Sequence, residues 1–314
     1  MERMQTIDDM NIFFCNLKEC DNWSLHLLKI IKSKKIGVSY YARQITLEPP
    51  GKLNSVVSSI SQNYTNGNHS LNNKYERIEE YDGINIGNII YCLPSDSDLI
   101  CEEYSDFVDA MNDPGVEGEL KTDKYQGYVI NGKLADDEPV RLISLQNPIT
   151  SYEHRHRFIC EGSSFKEIKG NVLQLKMYVD AILYKGHLYM MGLNAEKLFD
   201  MERSYKKKCV EETKNIVEHG IVSDAEAFIA AANSGHNPRK FVAFNQRNLE
   251  LLVKNREMRK KIGEKFRIPL TATGTFNTAG KESSDNLIKV LCNKAMLEPF
   301  GQEPMEVESA KRWK

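Results

Sequence analysis

The 314-residue sequence has no C-x-x-C pair and no long apolar run. Its seven cysteines (15, 20, 92, 101, 160, 209 and 292) are odd in number and scattered. That pattern excludes the framework of a disulfide-stapled domain and the ligand spacing of a structural zinc site. No stretch approaches the roughly 18 consecutive apolar residues that a membrane span requires, so any membrane association is expected to come through a partner. The opening "MERMQTIDDMNIFFCNLKEC" carries acidic residues where a signal peptide is basic, and it lacks a sustained apolar segment. These absences point to a reducing, cytoplasmic setting, in which the sequons at Asn63 and Asn68 carry no glycan.

Charge is plentiful but unevenly placed. The whole chain holds 42 Lys/Arg against 44 Asp/Glu. Between Glu76 and Glu138 there are 17 acidic and 4 basic residues, a net of −13, whereas Arg239 to Arg267 holds 10 basic and 3 acidic residues, a net of +7. Asymmetry of this kind points to a charged partner. The acidic part is expected to serve subunit or membrane-partner contacts and to keep a polyanion on the other side of the particle.

Periodicity supplies the elements. An amphipathic helix is expected around Trp23 to Ile31, a strand over "IGVSYYARQITL" (36–47) and a helix over "SVVSSISQNY", followed by an Asn-rich loop at 63–75. "GNIIYCLPS" (87–95) reads as a short buried strand ended by Pro94, "ICEEYSDFVDAM" (100–111) as a helix, and "DDEPVRLISLQNP" (136–148) as holding another strand. "NVLQLKMYVDAILYKGHLYMMG" (171–192) alternates and is interrupted by Lys185-Gly186, the pattern of a hairpin with a tight turn. Helices are then expected over 195–220 with a stop at Gly220, from a capping box at Ser223 and Glu226, over 245–266 with a weak point at Gly263, and over 283–295. The whole reads as an α+β fold of mixed β-sheets with helices. It divides into an acidic N-terminal α/β domain (1–120), a C-terminal domain (121–300) with a β-hairpin followed by a helical bundle, and a loose tail (301–314).

Seven of the fourteen residues in "KNREMRKKIGEKFR" (254–267) are Lys or Arg. On one continuous helix, Leu251, Met258 and Ile262 form a stripe able to face a core, with Arg247, Lys254 and Lys261 beside it, Arg256 and Lys260 on the far side and Arg259 between. Lys265 extends the run, Arg239, Lys240 and "RSYKKK" (203–208) add cations, and "TATGTFNTAGK" (271–281) offers backbone N–H and hydroxyl donors. Such a surface suits a phosphate backbone, with binding that is salt-sensitive and poor in sequence information. The plain alternative is a solvated helix face steadied by the i,i+4 pairs Glu250–Lys254 and Glu257–Lys261. A third reading is a scaffold whose basic helix pairs with the acidic part of a neighbouring subunit.

Catalytic patterns are sparse. "GTFNTAGKE" (274–282) misses a P-loop by one residue of spacing and by Glu282 where Ser or Thr is needed. His154 and His156 would share a strand face, but further ligands at a recognisable spacing are absent. No G-x-S-x-G or H-E-x-x-H motif occurs, no cofactor motif is present, and no local context favours a cysteine nucleophile. The one pattern with chemical content is Glu161 followed by Gln174-x-Lys176. It is a loose version of the arrangement in which carboxylates hold magnesium and a lysine polarises water. The reading therefore leans to a non-catalytic DNA binder, with a metal-dependent nuclease as the alternative.

The passage "YVDAILYKGHLYMMGLNAEKLFDMERSYKKK" (178–208), with "GYVINGKL" (127–134), "VRLISLQNPI" (140–149) and the basic run, resembles the KwaB family, the soluble subunits of the Kiwa antiphage system. The resemblance implies a cytoplasmic antiphage protein that binds double-stranded DNA without strict sequence choice. It also implies a partner, a small multi-span membrane protein of the KwaA type, and an assembly at the inner membrane that blocks phage DNA replication and late expression. A homo-oligomer, most simply a two-fold dimer, is implied as well. No individual site residue carries over from the family; those named above rest on charge and helix geometry.

Overall fold

A computed structural model describes residues 3–20, 22–33, 37–84, 87–114, 125–134, 137–150, 158–161, 164–167, 172–192, 194–297 and 304–306. The described chain forms two compact units, one of residues 1–80 and 85–200, the other of residues 81–84 and 201–314.

In chain order the first unit contains α1 (Ile7–Asn16), β1 (Ser24–Ser33), β2 (Gly37–Ile45), α2 (Lys52–Asn66), the single turn α3 (Leu71–Lys74), β3 (Arg77–Glu80), β4 (Ile89–Pro94) and α4 (Cys101–Asn112). It continues with β5 (Gly127–Lys133), β6 (Pro139–Ser144), β7 (Ile149–Thr150), β8 (Phe158–Glu161), β9 (Ser164–Glu167), β10 (Val172–Leu173), β11 (Ala181–Tyr184) and β12 (His187–Met190). Eight strands make one mixed sheet in the order β2-β1-β5-β6-β11-β12-β4-β3, antiparallel except for the β3–β4 edge. The fold is α+β, as the sequence pattern indicates. α1 starts at a capping box, in which Asp9 N–H donates to the Thr6 hydroxyl and the Asp9 carboxylate accepts from the Thr6 N–H. One sheet face carries Leu25, Leu27, Tyr128, Ile130 and Leu142 into a core with Phe13 and Phe14 of α1 and Val57 and Ile60 of α2. α4 packs on β2, where Tyr40, Phe107 and Phe199 meet edge to face.

Several expectations are corrected here. Trp23 to Ile31 is strand, not helix. β1 is paired on both edges, by β2 and β5, and its run Leu25–Leu28 is buried continuously; a strand buried on both faces loses the alternation that marks it. The Asn-rich segment 63–75 is largely helical, in the end of α2 and in α3. The hairpin forms as read: Lys185 and Gly186 both hold positive φ (48° and 67°), which suits the two-residue turn between β11 and β12. Its strands nevertheless belong to the first unit's sheet, between β6 and β4. The compact units accordingly divide after Asp200 rather than near residue 120, since strands from both sides of 120 are hydrogen-bonded in one sheet.

The second unit is helical: α5 (Met201–Glu218), α6 (Ala225–Ala232), α7 (Asn237–Lys240), α8 (Gln246–Lys254), α9 (Arg256–Lys265) and α10 (Lys281–Leu291), with the short pair β13 (Ala295–Leu297) and β14 (Pro304–Glu306). Its core gathers Phe228, Phe241, Leu249, Leu252, Ile268, Phe276, Leu287 and Leu291. α6 is capped by Asp224, whose carboxylate accepts from Ala227 N–H; Ser223 instead accepts from Thr278 N–H. Residues 81–84 complete this unit. Asp82 pairs with the buried Lys294 at 2.5 Å, and the Tyr81 hydroxyl bonds that of Tyr205 at 2.5 Å.

Candidate nucleic-acid interface

The basic run does not form one helix. Asn255 leaves the helical region (φ −127°, ψ 100°), ending α8 while its side chain accepts from Met258 N–H to open α9. Asn is a better cap than an interior helix residue, a signal that the apolar spacing conceals. The seven-residue alignment of Arg247, Lys254 and Lys261 therefore does not survive, because the break separates the first two from the third. Gly263 does not weaken α9. It is buried and the carbonyl of Ile268 lies where a Cβ would stand, so glycine is what lets the following turn close on the helix.

Taken alone, α9 has a clear division. Met258, Ile262 and buried Gly263 face the core. At about 100° per residue, Arg256 and Lys260 fall on one edge of the exposed arc and Lys261 and Lys265 on the other, with Glu257 and Glu264 between. Lys260, Lys261, Lys265 and Arg247 are exposed, and among the described residues none holds a carboxylate within ion-pair distance. Lys254 is exposed and stands 3.8 Å from Glu250, a loose i,i+4 pair. Arg256 donates to the Ala272 carbonyl at 3.3 Å and, with Lys260, Glu257, Glu264 and Thr271, lines a cavity of about 380 Å³.

Arg259 is spent on the fold. Its guanidinium donates to the carbonyls of Leu252 (2.5 Å), Val253 (3.0 Å) and Gly274 (2.8 Å), so it satisfies the open C-terminal end of α8 and ties it to the 271–275 turn. Arg239, on α7, donates to the Tyr81 hydroxyl at 3.4 Å and lies over the Tyr205 ring at 5.3 Å. Lys240 beside it is half-buried. Lys206 pairs with Glu202 at 2.6 Å. The 271–281 segment also spends backbone donors on the fold: Thr271 N–H and Gly274 N–H bond carbonyls within the turn, and Asn277 N–H bonds that of Pro269.

Of the nuclease pattern, Glu161 ends β8, whereas Gln174 and Lys176 lie on no strand. Gln174 and Lys176 precede the hairpin, and the Tyr128 hydroxyl takes both the N–H and the C=O of Lys176, which draws that residue out of ladder pairing. The Lys176 ammonium lies over the Tyr178 ring at 4.7 Å. The Glu161 side chain, His154 and His156 lie outside the described residues. Among the described residues no group of three or more His, Cys, Asp or Glu is placed to hold a metal ion, and no helix is long and apolar enough to cross a membrane.

A mixed-sheet unit, and a separate helical unit with exposed cations on α8 and α9, are the setting in which kinship becomes informative. The family model described as "Kiwa protein KwaB-like" matches residues 140–297, from β6 through β13, and the chain belongs to that family. Membership makes it a component of Kiwa antiphage defence. No curated protein and no solved structure matches the chain.

Proposed function

We propose that this protein acts in Kiwa defence by holding double-stranded DNA through its phosphates, with little sequence choice and without cutting it. In that reading it works as a homo-oligomer, recruited to the inner membrane by a KwaA-like multi-span partner, and occupancy of phage DNA blocks replication and late expression. One observation carries the proposal: α8 and α9 expose Arg247, Lys260, Lys261 and Lys265 with no carboxylate partner among the described residues, flanked by Lys254 and Arg256. Ammonium groups left in water on a docked helix keep their counterion-exchange energy for a polyanion. The same helices are anchored by Arg259 and by the core side chains Leu249 and Leu252, so the cations ride on a fixed support.

The test is duplex binding by fluorescence anisotropy over a range of salt concentrations, with wild type beside the combined variant Lys260→Ala, Lys261→Ala, Lys265→Ala. Affinity should fall for every sequence alike, and the slope of log K against log salt should shrink by about 0.9 for each phosphate that is no longer neutralised. An unaltered slope in the folded variant removes this surface from consideration. The same samples incubated with Mg²⁺ report on cleavage: intact DNA agrees with holding, and cutting that disappears in Glu161→Gln and Lys176→Ala would replace it with a nuclease.

A further inference from the structure

The first unit contains a cavity of about 570 Å³ that the charge pattern gives no reason to expect. It opens on the sheet face opposite the Phe13 and Phe14 core, where β1, β5 and β6 end beside the last turn of α4. Ser24, Asn131 and Arg141 stand in cross-strand register there, Asn131 opposite both of the others. His26, two residues along β1, points to the same side. Lys133 at the end of β5, Asp137 from the β5–β6 connection and Asn112 from α4 complete the rim.

What distinguishes this cavity is unfinished hydrogen bonding. Arg141 is half-buried, and that burial pulls its pKa below the usual arginine value. Its one partner among the described residues is the Asn112 amide oxygen at 3.2 Å, and its buried Nε–H has none. The Asn131 amide donates to His26 Nδ1, which leaves its buried Oδ1 without a donor. His26 is 4% exposed, is also bonded by the Gln44 side chain, and is held toward the neutral form chiefly by burial. A buried guanidinium N–H without an acceptor is costly, as is a buried amide oxygen without a donor. Native interiors leave few such groups, and here the two residues that carry them stand side by side on the wall of one polar cavity of the size that takes a small ligand.

We propose that this cavity is a binding site for a small oxyanion-bearing molecule of about mononucleotide size, which also carries a hydroxyl or amino donor. The guanidinium edge of Arg141, helped by Lys133, takes the oxyanion, since a planar fork matches phosphate or carboxylate oxygens. Asn131, whose amide is held by His26, stands next to the guanidinium, and a turn of its side chain on binding brings Oδ1, closed off in the empty cavity, to the ligand's donor. The site lies wholly in the first unit and does not depend on the DNA-holding surface.

Calorimetry on the full chain tests it, with inorganic phosphate, nucleoside 5′-monophosphates, the parent nucleosides and a hydroxy acid such as citrate as probes. A phosphate- or carboxylate-bearing probe should bind with a Kd under about 1 mM, and the phosphate and carboxylate arms say which oxyanion the site prefers. Arg141→Gln should weaken that probe by about tenfold or more. Asn131→Asp places a carboxylate across from Arg141 and should abolish binding while holding or raising the melting temperature, so a folding defect cannot mimic the result. No binding of any anionic probe to wild type at several times that concentration overturns the proposal, as does equal affinity for nucleotide and nucleoside or undiminished binding in a folded Asn131→Asp protein.

Discussion

Each unit of this protein draws a cation out of water, wholly at Lys294 and in part at Arg141, and the two are treated in opposite ways. In the helical unit Lys294 is 1% exposed and meets the Asp82 carboxylate at 2.5 Å. In the sheet unit Arg141 is given an amide oxygen and no carboxylate among the described residues. A buried charge with a matched counter-charge is finished as a piece of structure, whereas one without it keeps binding capacity in reserve. A third treatment is seen on α9, where lysines remain in water and contribute little to folding but much to any meeting with a polyanion.

The contrast can be broken or sharpened by substitution. The largest loss is expected from Asp82→Ala, which takes the carboxylate from a fully buried ammonium and should lower unfolding free energy by about 3 kcal/mol in urea denaturation. A loss below about 1 kcal/mol would mean that Lys294 does not need this partner. Arg259→Ala comes next. Removing the half-buried guanidinium leaves three carbonyls without their donor and should cost about 2 kcal/mol, with DNA affinity unchanged under conditions where the variant is folded. A pH effect follows from His26. Its folded pKa lies below the usual 6.5, so as pH falls through that value the unfolded chain takes up a proton that the folded chain refuses. Stability from this residue is therefore present above about pH 6.5 and lost below it. Denaturation midpoints at about pH 8 and about pH 5 should differ more for wild type than for His26→Gln. The smallest stability change, within about 0.5 kcal/mol per site, is expected for Lys260→Ala, Lys261→Ala and Lys265→Ala, whose effect belongs to binding.

How much of this is legible in the sequence depends on how local the deciding contact is. The hairpin at Lys185-Gly186, the strand ended by Pro94 and the helix ended near Gly220 all follow from residues within a few positions of the feature. β1 does not, because its identity is settled by partners in β2 and β5, one of them about a hundred residues away. The division of the basic run at Asn255 is readable, as an amide in the middle of a helix-like stretch competes for backbone N–H groups. The diversion of Arg259 to carbonyl capping is not, since Gly274 reaches it through the tertiary fold. Charge counting finds the exposed lysines and passes over Arg141, the lone cation in the apolar run "PVRLIS", although a charge in such a strand is itself a signal.

The four residues Tyr81 to Ile84 sit in the chain between two strands of the sheet unit, yet Asp82 and Tyr81 are parts of the helical one. A gene truncated to encode only the carboxyl-terminal helices would thus lack the counter-charge for Lys294 and the phenol that meets Tyr205. Domain boundaries chosen by cutting the polypeptide once cannot isolate that half intact, and swapping it between relatives requires transplanting two separate stretches together.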